Sequence, residues 1–296
     1  MGCTPEFTYV EEAGDTANKD RTLIKNAIKY FKDNKILTIP RIYSPEALEN
    51  KKTCELGPDN LRYLKQVMRL KNGDKINIFD GFGREFEAVI KSYSTKTVLI
   101  ELGEIIPTAG KDIRITLAQA IPKARKMDTI VKSAAELGAN VIIPFYAARS
   151  VSRIADEKSS LKVARWQKIA REAARCCHSN HIAKVSRISS FTDMLSAASD
   201  DALRLIFWEE ESQKTIKDTL TDQAFAATKD FFIAVGPEGG FSKDEVIKTK
   251  EAGFLSVTLG RQILKVETAA AAIIAIIQYE KGIFGNRSQE VENDRL

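Results

Sequence analysis

Apolar residues in the second part of the chain form short runs that alternate with segments of helical spacing. Runs rich in Val, Ile and Phe are typical of buried strands, and apolar residues recurring every three or four positions are typical of helices with one buried face. The predicted strands are Ile113–Ala118, Val141–Tyr146, Leu203–Trp208, Phe231–Val235 and Ser256–Leu259. The predicted helices are Lys126–Leu137, Leu161–Cys177, Phe191–Ala198, Ser242–Ala252 and Glu267–Tyr279. This alternation predicts an α/β fold with a mostly parallel sheet and helices on both faces.

The preceding part of the chain has short strands with turns between them and one helix, which is typical of a small β-barrel. The predicted strands are Ile39–Tyr43, Ile76–Phe79, Glu85–Tyr93 and Thr97–Leu102, and the predicted helix is Pro58–Leu70. We therefore expect a β-barrel domain over residues 39–106 and an α/β domain over residues 112–283. Residues 1–38 are predicted to be a partly disordered extension with one short helix, and residues 284–296 a polar tail.

A glycine-rich loop follows the predicted strand Phe231–Val235. Its residues Gly236–Gly240 have almost no side chains, and Ser242 with Glu245 has the spacing of a helix capping box. Such a loop is either a tight turn or a place where peptide groups meet a ligand. It lacks the Lys-Ser/Thr of a phosphate-binding P-loop and the Gly-x-Gly-x-x-Gly of a dinucleotide site. The segment Leu259–Leu264 follows another strand, and the two loops together predict one ligand pocket.

Composition and charge indicate where the protein is located and what kinds of partner to expect, but they do not indicate its function. The net charge of +5 is a weak indication of an anionic partner. The four cysteines have no disulfide-framework spacing, which favours a reduced, cytoplasmic location. No apolar run is long enough to span a bilayer, so no membrane association is expected. Cys176, Cys177, His178 and His181 lack the spacing of a tetrahedral zinc site, so no metal is expected either.

The two loops carry a specific resemblance. Gly-Pro-Glu-Gly-Gly-Phe-Ser at 236–242 and Leu-Gly-x-x-Ile-Leu-x-x-Glu-Thr-Ala at 259–269 resemble the SPOUT class of methyltransferases, and in particular the RsmE family. Further similarity runs through Gln119–Lys123, Lys126–Asp128 and Ile39–Tyr43, so it covers about residues 39 to 283. The resemblance implies a trefoil-knotted α/β domain preceded by a PUA-like RNA-binding barrel. It also implies a homodimer that uses S-adenosylmethionine to methylate N3 of a uridine in 16S ribosomal RNA, in the small subunit or in an assembly particle.

The same resemblance assigns the cofactor residues. Adenosine is expected to lie against the backbone of the two loops, with the end of the preceding strand as a third wall. The expected cofactor-binding residues are Phe207, Trp208, Val235, Gly236, Pro237, Glu238, Gly239, Gly240, Leu259, Gly260, Ile263 and Leu264.

The chain departs from the family pattern beside the pocket. The family has Pro and Arg where this chain has Arg261 and Gln262, and Arg where it has Lys265. A cation near the uracil oxygens would stabilise a deprotonated base, and Lys265 or Arg261 is the candidate. Glu267 is the candidate proton acceptor, with Glu238 as the other carboxylate. The simpler role of Glu267 is to complement the dipole of the following helix.

Basic residues in both parts of the chain suit a groove that follows RNA phosphates. The candidates are Arg41, Arg69, Lys123, Arg125, Lys132, Arg149 and Arg171. Two alternatives to the leading function stay open. One is a SPOUT methyltransferase with a different RNA target, because the arginines have changed. The other is a catalytically inactive RNA-binding or ribosome-assembly factor.

Overall fold

The computed structural model describes residues 39–107, 113–150 and 156–284. The predicted helix within residues 1–38, the segment 108–112 and the tail beyond residue 284 lie outside these ranges. Within these ranges, every strand and helix lies in one unit of the chain that begins at Arg41. Within the described ranges, no helix combines the length and the apolar character needed to cross a membrane.

The first part of the unit is a five-stranded sheet. Its strands are β1 (Arg41–Tyr43), β2 (Thr53–Leu56), β3 (Lys75–Phe79), β4 (Glu85–Tyr93) and β5 (Val98–Ile106), in the order β1-β3-β4-β5-β2. β1 pairs in parallel with β3, and the other pairs are antiparallel. Helix α1 (Pro58–Arg62) continues into a π-helical turn at Tyr63–Val67. Alternate strand residues such as Ile76, Ile78 and Ile90 face one apolar core.

The second part is a six-stranded sheet in which every pair of strands is parallel. Its strands are β6 (Arg114–Ala120), β7 (Val141–Phe145), β8 (Lys184–Val185), β9 (Leu203–Phe207), β10 (Asp230–Val235) and β11 (Leu255–Val257). Their order is β11-β9-β10-β6-β7-β8. β10 is therefore inserted between two strands that precede it in the chain.

In the described part of the chain, six helices cover this sheet, and apolar cores lie on both of its faces. The helices are α2 (Lys126–Glu136), α3 (Asp156–Cys176), α4 (Phe191–Ser196), α5 (Ile216–Thr221), α6 (Lys243–Glu251) and α7 (Val266–Glu280). Along β10, Phe231, Ile233 and Val235 join one hydrophobic cluster. Phe232 and Ala234 join the other. Because successive strand residues face opposite ways, a strand buried on both faces is apolar throughout, which confirms the predicted helix-covered parallel sheet.

The sequence pattern predicted most of these elements and missed three. The missed elements are β2, β8 and α5. β8 is only two residues long, and α5 buries only Ile216, Thr219 and Leu220, so neither provides enough residues for a periodic signal. The predicted helix Pro58–Leu70 begins where expected but loses α-helical geometry after Arg62.

Arg41 joins the small sheet to the end of α3. Its side chain is 4% exposed, and its Nε lies 3.0 Å from the Glu85 carboxylate. The guanidinium also donates to the carbonyl oxygen of Ala174 at 3.1 Å and to Asn180 Oδ1, and it lies 3.7 Å from the centre of the Phe79 ring. All of these contacts are intramolecular and buried. The expectation that Arg41 contacts RNA phosphate is therefore corrected: its guanidinium has no exposed surface to offer.

Candidate active site

Four parallel strands end at the same edge of the large sheet. Val235 at the end of β10 is in register with Gln119 of β6 and with Phe207 of β9, and Val257 of β11 is also in register with Phe207. The loops that follow these strands therefore emerge side by side. In open parallel sheets, ligands bind in crevices at this carboxyl edge. The structure thus brings together the loops that the sequence predicted to form one pocket.

The glycine loop, Gly236–Gly240, is shaped by close backbone packing. Gly240 has a φ of 66°, which side-chain-bearing residues rarely adopt. A Cβ on Gly240 would overlap the carboxylate of Glu209, and a Cβ on Gly236 would lie 3.3 Å from Gly240 Cα. The Gly240 N–H donates to the Pro237 carbonyl at 2.9 Å, which closes a tight turn. The loop is bare because it folds back on itself.

Gln119 supports the base of the glycine loop. Its side chain is fully buried, and Nε2 donates to the carbonyl oxygens of Ala120 at 2.9 Å and Gly236 at 3.3 Å. Among the described residues, its Oε1 has no hydrogen-bond partner. Gln119 is part of the segment that resembles the family, but the sequence alone did not predict a role for it in the site. Its burial beside the loop shows that it fixes where the loop leaves the sheet.

The loop after β7 holds the other side of the glycine loop. Arg149 Nη1 donates to the Gly239 carbonyl at 2.8 Å. Glu245 completes the predicted capping box with Ser242, because each side chain accepts from the other residue's backbone N–H. The free oxygen of Glu245 also accepts from the Ala148 N–H at 2.7 Å. The capping box is confirmed, and the second contact of Glu245 is one that spacing in the sequence could not show.

Glu238 and Glu267, the two candidate carboxylates, share one lysine. Lys126 Nζ lies 2.8 Å from Glu238 Oε1 and 3.8 Å from Glu267 Oε2. Glu238 also accepts from the Lys123 backbone N–H at 3.1 Å. Partial burial acts to raise the pKa of Glu238, but the hydrogen bonds from Lys126 and from backbone N–H groups outweigh it, so the pKa is lowered. The hydrogen bond to Glu238 raises the pKa of Lys126.

Glu267 is the less engaged of the two carboxylates. It lies in the first turn of α7, where it complements the helix dipole. Its Oε2 is buried and has no hydrogen-bond partner within the part of the chain that the structure describes. The contact with Lys126 at 3.8 Å is an ion pair longer than a hydrogen bond. In the described part of the chain, Oε2 of Glu267 therefore accepts no hydrogen bond and has only the longer ion pair with Lys126.

The second loop, Leu259–Lys265, is open. Gly260 has a φ of 116° with no neighbouring atoms around a Cβ position, and Ile263 is 89% exposed. Arg261 and Lys265 are exposed, and neither side chain pairs with a carboxylate among the described residues. Lys265 is the N-cap residue of α7, two positions before Glu267. The structure thus places two free cations on the open loop and does not hold either against the glycine loop.

The end of β9 forms the third side of the pocket. Phe207 is buried, and Trp208 is half-buried with an Nε1 that has no hydrogen-bond partner in the described ranges. Glu209 follows directly, and its carboxylate lies against the Cα of Gly240, where a Cβ would be. Leu259 packs against the core from the neighbouring loop. The three segments named as cofactor walls are therefore adjacent in space.

The remaining RNA-binding candidates are exposed, unlike Arg41. They are Arg69, Lys123, Arg125, Lys132, Arg149 and Arg171. Arg69 is held at a φ of 56°, and the Arg171 guanidinium lies 5.0 Å from the centre of the Tyr43 ring. The cysteine-histidine segment shows no metal-binding arrangement: Cys176 and Cys177 are exposed at the end of α3. Within the described ranges, no group of three or more His, Cys, Asp or Glu side chains could hold an ion.

Comparisons with known proteins agree with this geometry. A family model described as an RNA methyltransferase domain matches residues 109–278, and one described as an RNA methyltransferase PUA domain matches residues 56–103. Ribosomal RNA small subunit methyltransferase E of Bacillus subtilis is 29% identical over 79% of this chain and 93% of its own length. The same enzyme of Buchnera aphidicola from Acyrthosiphon pisum is 30% identical over 83% of this chain and 95% of its own length.

Solved structures of methyltransferases are also similar to this chain. The crystal structure of ribosomal RNA small subunit methyltransferase E from Neisseria gonorrhoeae, bound to S-adenosyl methionine, has a TM-score of 0.74 at 30% identity. It covers 83% of this chain and 99% of that one. A methyltransferase from Legionella pneumophila in complex with the same cofactor has a TM-score of 0.72 at 30% identity over 81% of this chain and 97% of its own. The chain belongs to the RsmE family of ribosomal RNA small subunit methyltransferases.

Proposed function

We propose that the protein is an S-adenosylmethionine-dependent methyltransferase that methylates N3 of a uridine in small-subunit ribosomal RNA. The observation that carries this proposal is the glycine loop at the carboxyl edge of the parallel sheet. Its Gly240 is left-handed, and β9, which ends beside Trp208, lies between the strand that leads into the glycine loop and the strand that leads into the open second loop. This arrangement supports an adenosine-binding cleft, in a chain whose relatives are named for this activity.

The cofactor is proposed to lie against three segments. Gly236, Gly239 and Gly240 offer peptide groups without side chains in the way, and Leu259–Leu264 offers a second backbone wall with apolar side chains. Trp208 has an indole N–H in need of an acceptor, which a polar ligand could provide. Phe207 and Val235 close the floor. This set fits a ligand with a flat apolar base and several hydrogen-bonding atoms.

The bound cofactor supplies a methyl group on a positively charged sulfur. The residues of the chain must hold uridine N3 in line with that group and manage the N3 proton. Glu267 is the proposed proton acceptor, because its Oε2 has no hydrogen-bond partner among the described residues. Glu238 is a poorer acceptor, because hydrogen bonds to its carboxylate lower its pKa.

The exposed cations of the second loop are proposed to stabilise the deprotonated uracil. Lys265 lies two residues before Glu267, so a base held by one is within reach of the other. Arg261 is the second candidate. Neither cation is neutralised by a carboxylate in the described ranges, which leaves both available to the negative oxygens of a uridinate.

Binding of the RNA is assigned to the exposed basic residues and to the small sheet over residues 39–106. The substrate is proposed to be ribosomal RNA in the small subunit or in an assembly particle, and the enzyme to be a cytoplasmic homodimer. The trefoil knot also belongs to the proposal. Its support is the insertion of β10 between β9 and β6.

A different RNA target is the second candidate function. The observation that favours it is the replacement of family arginines by Gln262 and Lys265, because lysine lacks the planar fork that binds phosphate or a base edge in two places. A catalytically inactive assembly factor is the remaining alternative. It predicts an intact RNA-binding surface with no methyl transfer.

The test combines cofactor binding with mapping of the product. We expect the full-length protein to bind S-adenosylmethionine in calorimetry and to place N3-methyluridine in small-subunit ribosomal RNA from a strain that lacks the modification. Glu267→Gln should retain cofactor binding and lower kcat by about 10²-fold or more. Methylation at another RNA would establish the second candidate. Binding without any transfer would establish the inactive factor, and absence of cofactor binding would reject both enzyme functions.

A further inference from the structure

Lys126 occupies a position that helix formation alone does not explain. It is the first residue of α2, and a cation at a helix N-terminus is opposed by the helix dipole. The acidic Asp128 in the same turn has the favourable sign. The ammonium group of Lys126 must therefore be held there by something other than its own helix.

Two carboxylates from separate loops hold it. Glu238 comes from the glycine loop after β10, and Glu267 comes from the helix that follows the second loop. Lys126 Nζ contacts the first at 2.8 Å and the second at 3.8 Å. The side chains of Lys126, Glu238 and Glu267 are 35%, 23% and 25% exposed, so the contacts are only partly screened by solvent. These three residues form a group that we name the Lys126 bridge.

The bridge connects the two walls of the proposed cofactor cleft. Both carboxylates contact the same ammonium group. If that cation were removed, the negative charges of Glu238 and Glu267 would repel each other and move the two loops apart. The Glu238 carboxylate also accepts from the Lys123 N–H at 3.1 Å, so the less constrained of the two carboxylates is that of Glu267. Displacement of Glu267 would change both the cleft and the proton acceptor.

We propose that Lys126 is a positioning residue for methyl transfer, which holds the glycine loop and Glu267 at the distance that the cofactor and the uridine require. The inference rests on the proposed function, because it assigns a role within the same site. Lys126 acts through the two carboxylates and does not itself contact the reacting atoms. Its positive charge also offsets the negative charge of the pair beside a site that must accept anionic RNA.

The test compares two substitutions at Lys126 with a matched loss of charge elsewhere. Lys126→Met removes the ammonium and keeps the length of the side chain, and Lys126→Arg keeps a cation. Lys162→Met removes one exposed lysine from α3 and serves as the control. For each full-length variant, we would measure the dissociation constant for S-adenosylmethionine by calorimetry and kcat and KM on small-subunit ribosomal RNA. Thermal unfolding reports whether each variant is folded.

We expect Lys126→Met to weaken cofactor binding and to lower kcat, each by about tenfold, because displacement of a positioning group by about 1 Å has effects of this order or greater. The KM for RNA should remain within about twofold, and Lys126→Arg should recover most of the loss. Lys162→Met should match the wild type. A merely structural role would lower thermal stability without this division between kcat and the KM for RNA.

A double-mutant cycle tests the route of the effect. If Lys126 acts through Glu238, then Glu238→Gln should have less effect in the Lys126→Met background than in the wild type. Additive effects would overturn the bridge, as would a folded Lys126→Met protein with cofactor affinity and kcat within about twofold of wild type. If Lys126→Met does not fold, Lys126→Gln and Glu238→Gln provide the same comparison. If the wild-type protein binds the cofactor and Lys126→Met has the same cofactor affinity and kcat, only this inference is rejected. A wild-type protein that binds no cofactor rejects the proposed function as well.

Discussion

Gly240→Ala tests whether the shape of the glycine loop depends on its left-handed residue. Gly240 has a φ of 66°, and a Cβ there would overlap the carboxylate of Glu209. The backbone term alone costs about 1–2 kcal/mol for a residue other than glycine. The overlap is with the end of an exposed, flexible side chain, so Glu209 can rotate away at a cost of about 1 kcal/mol or less. The smaller conformational entropy of the unfolded alanine variant offsets about 0.4–1 kcal/mol.

The net expectation is a loss of about 1–2 kcal/mol in the free energy of unfolding. For a chain of this size, that corresponds to a fall of roughly 2–4 °C in Tm. We expect cofactor affinity to fall as well, by about tenfold, because the backbone that forms the cleft must shift. Urea unfolding, thermal unfolding and calorimetry with S-adenosylmethionine measure the three quantities on the same preparation.

Gly239→Ala is the matched control. Gly239 does not have left-handed backbone angles, and its Cβ would lie 3.2 Å from Arg149 Cβ, which requires only a small adjustment. The double variant Gly240→Ala with Glu209→Ala removes the overlap and keeps the backbone strain. It should therefore remain less stable than Glu209→Ala alone. The reasoning is refuted if Gly240→Ala is as stable as Gly239→Ala and binds the cofactor as tightly as the wild-type protein.

Three further predictions concern the contacts that support the site. Arg41→Met should lower the free energy of unfolding by about 3–5 kcal/mol in urea titration, because it leaves the buried Glu85 carboxylate without its partner; adding Glu85→Gln should recover much of the loss. Ser242→Ala should cost about 1 kcal/mol in the same assay, and Glu245→Ala should cost more, because it also breaks the bond from the loop after β7. The lowered pKa of Glu238 means that its contribution to stability is full above its ordinary value of 4.5 and is lost as the pH falls through the folded-state pKa. The Tm difference between wild type and Glu238→Gln should therefore shrink as the pH falls below 4.5, and a constant difference would contradict the assignment.

Short stretches of sequence predicted the features that depend on neighbouring residues, namely the buried strands and the capping box. The apolar runs of β6, β9 and β10 are buried on both faces, so the strands stand out without any knowledge of their partners. The capping box at Ser242 depends on residues three positions apart and was confirmed. The order of the strands was not predictable in the same way, because pairing of β10 between β9 and β6 is set by contacts between distant parts of the chain.

Arg41 and Lys126 show why basic residues in a sequence are poor guides to a site. Arginine is rarely buried, so Arg41 was expected at the surface, yet Glu85 and two carbonyl oxygens, one in the last turn of α3 and one just beyond it, provide enough acceptors to bury it. Lys126 was one cation among many until the folded chain placed Glu238 and Glu267 around it. In both cases the partners lie more than forty residues away in the chain, and only the fold assigns the role.

The departures from the family pattern lie on the part of the site that the fold constrains least. The glycine loop is held by Gln119, Arg149 and the turn at Gly240, so substitution there would disturb several contacts at once. The second loop is exposed at Arg261 and Lys265, and a change of side chain there disturbs no packing. The two proposed walls of the cofactor cleft therefore differ in how firmly the fold holds them. On the proposed function, the exposed side chains of Arg261 and Lys265 could change, and with them the RNA target, while the backbone of the cofactor cleft stays as it is.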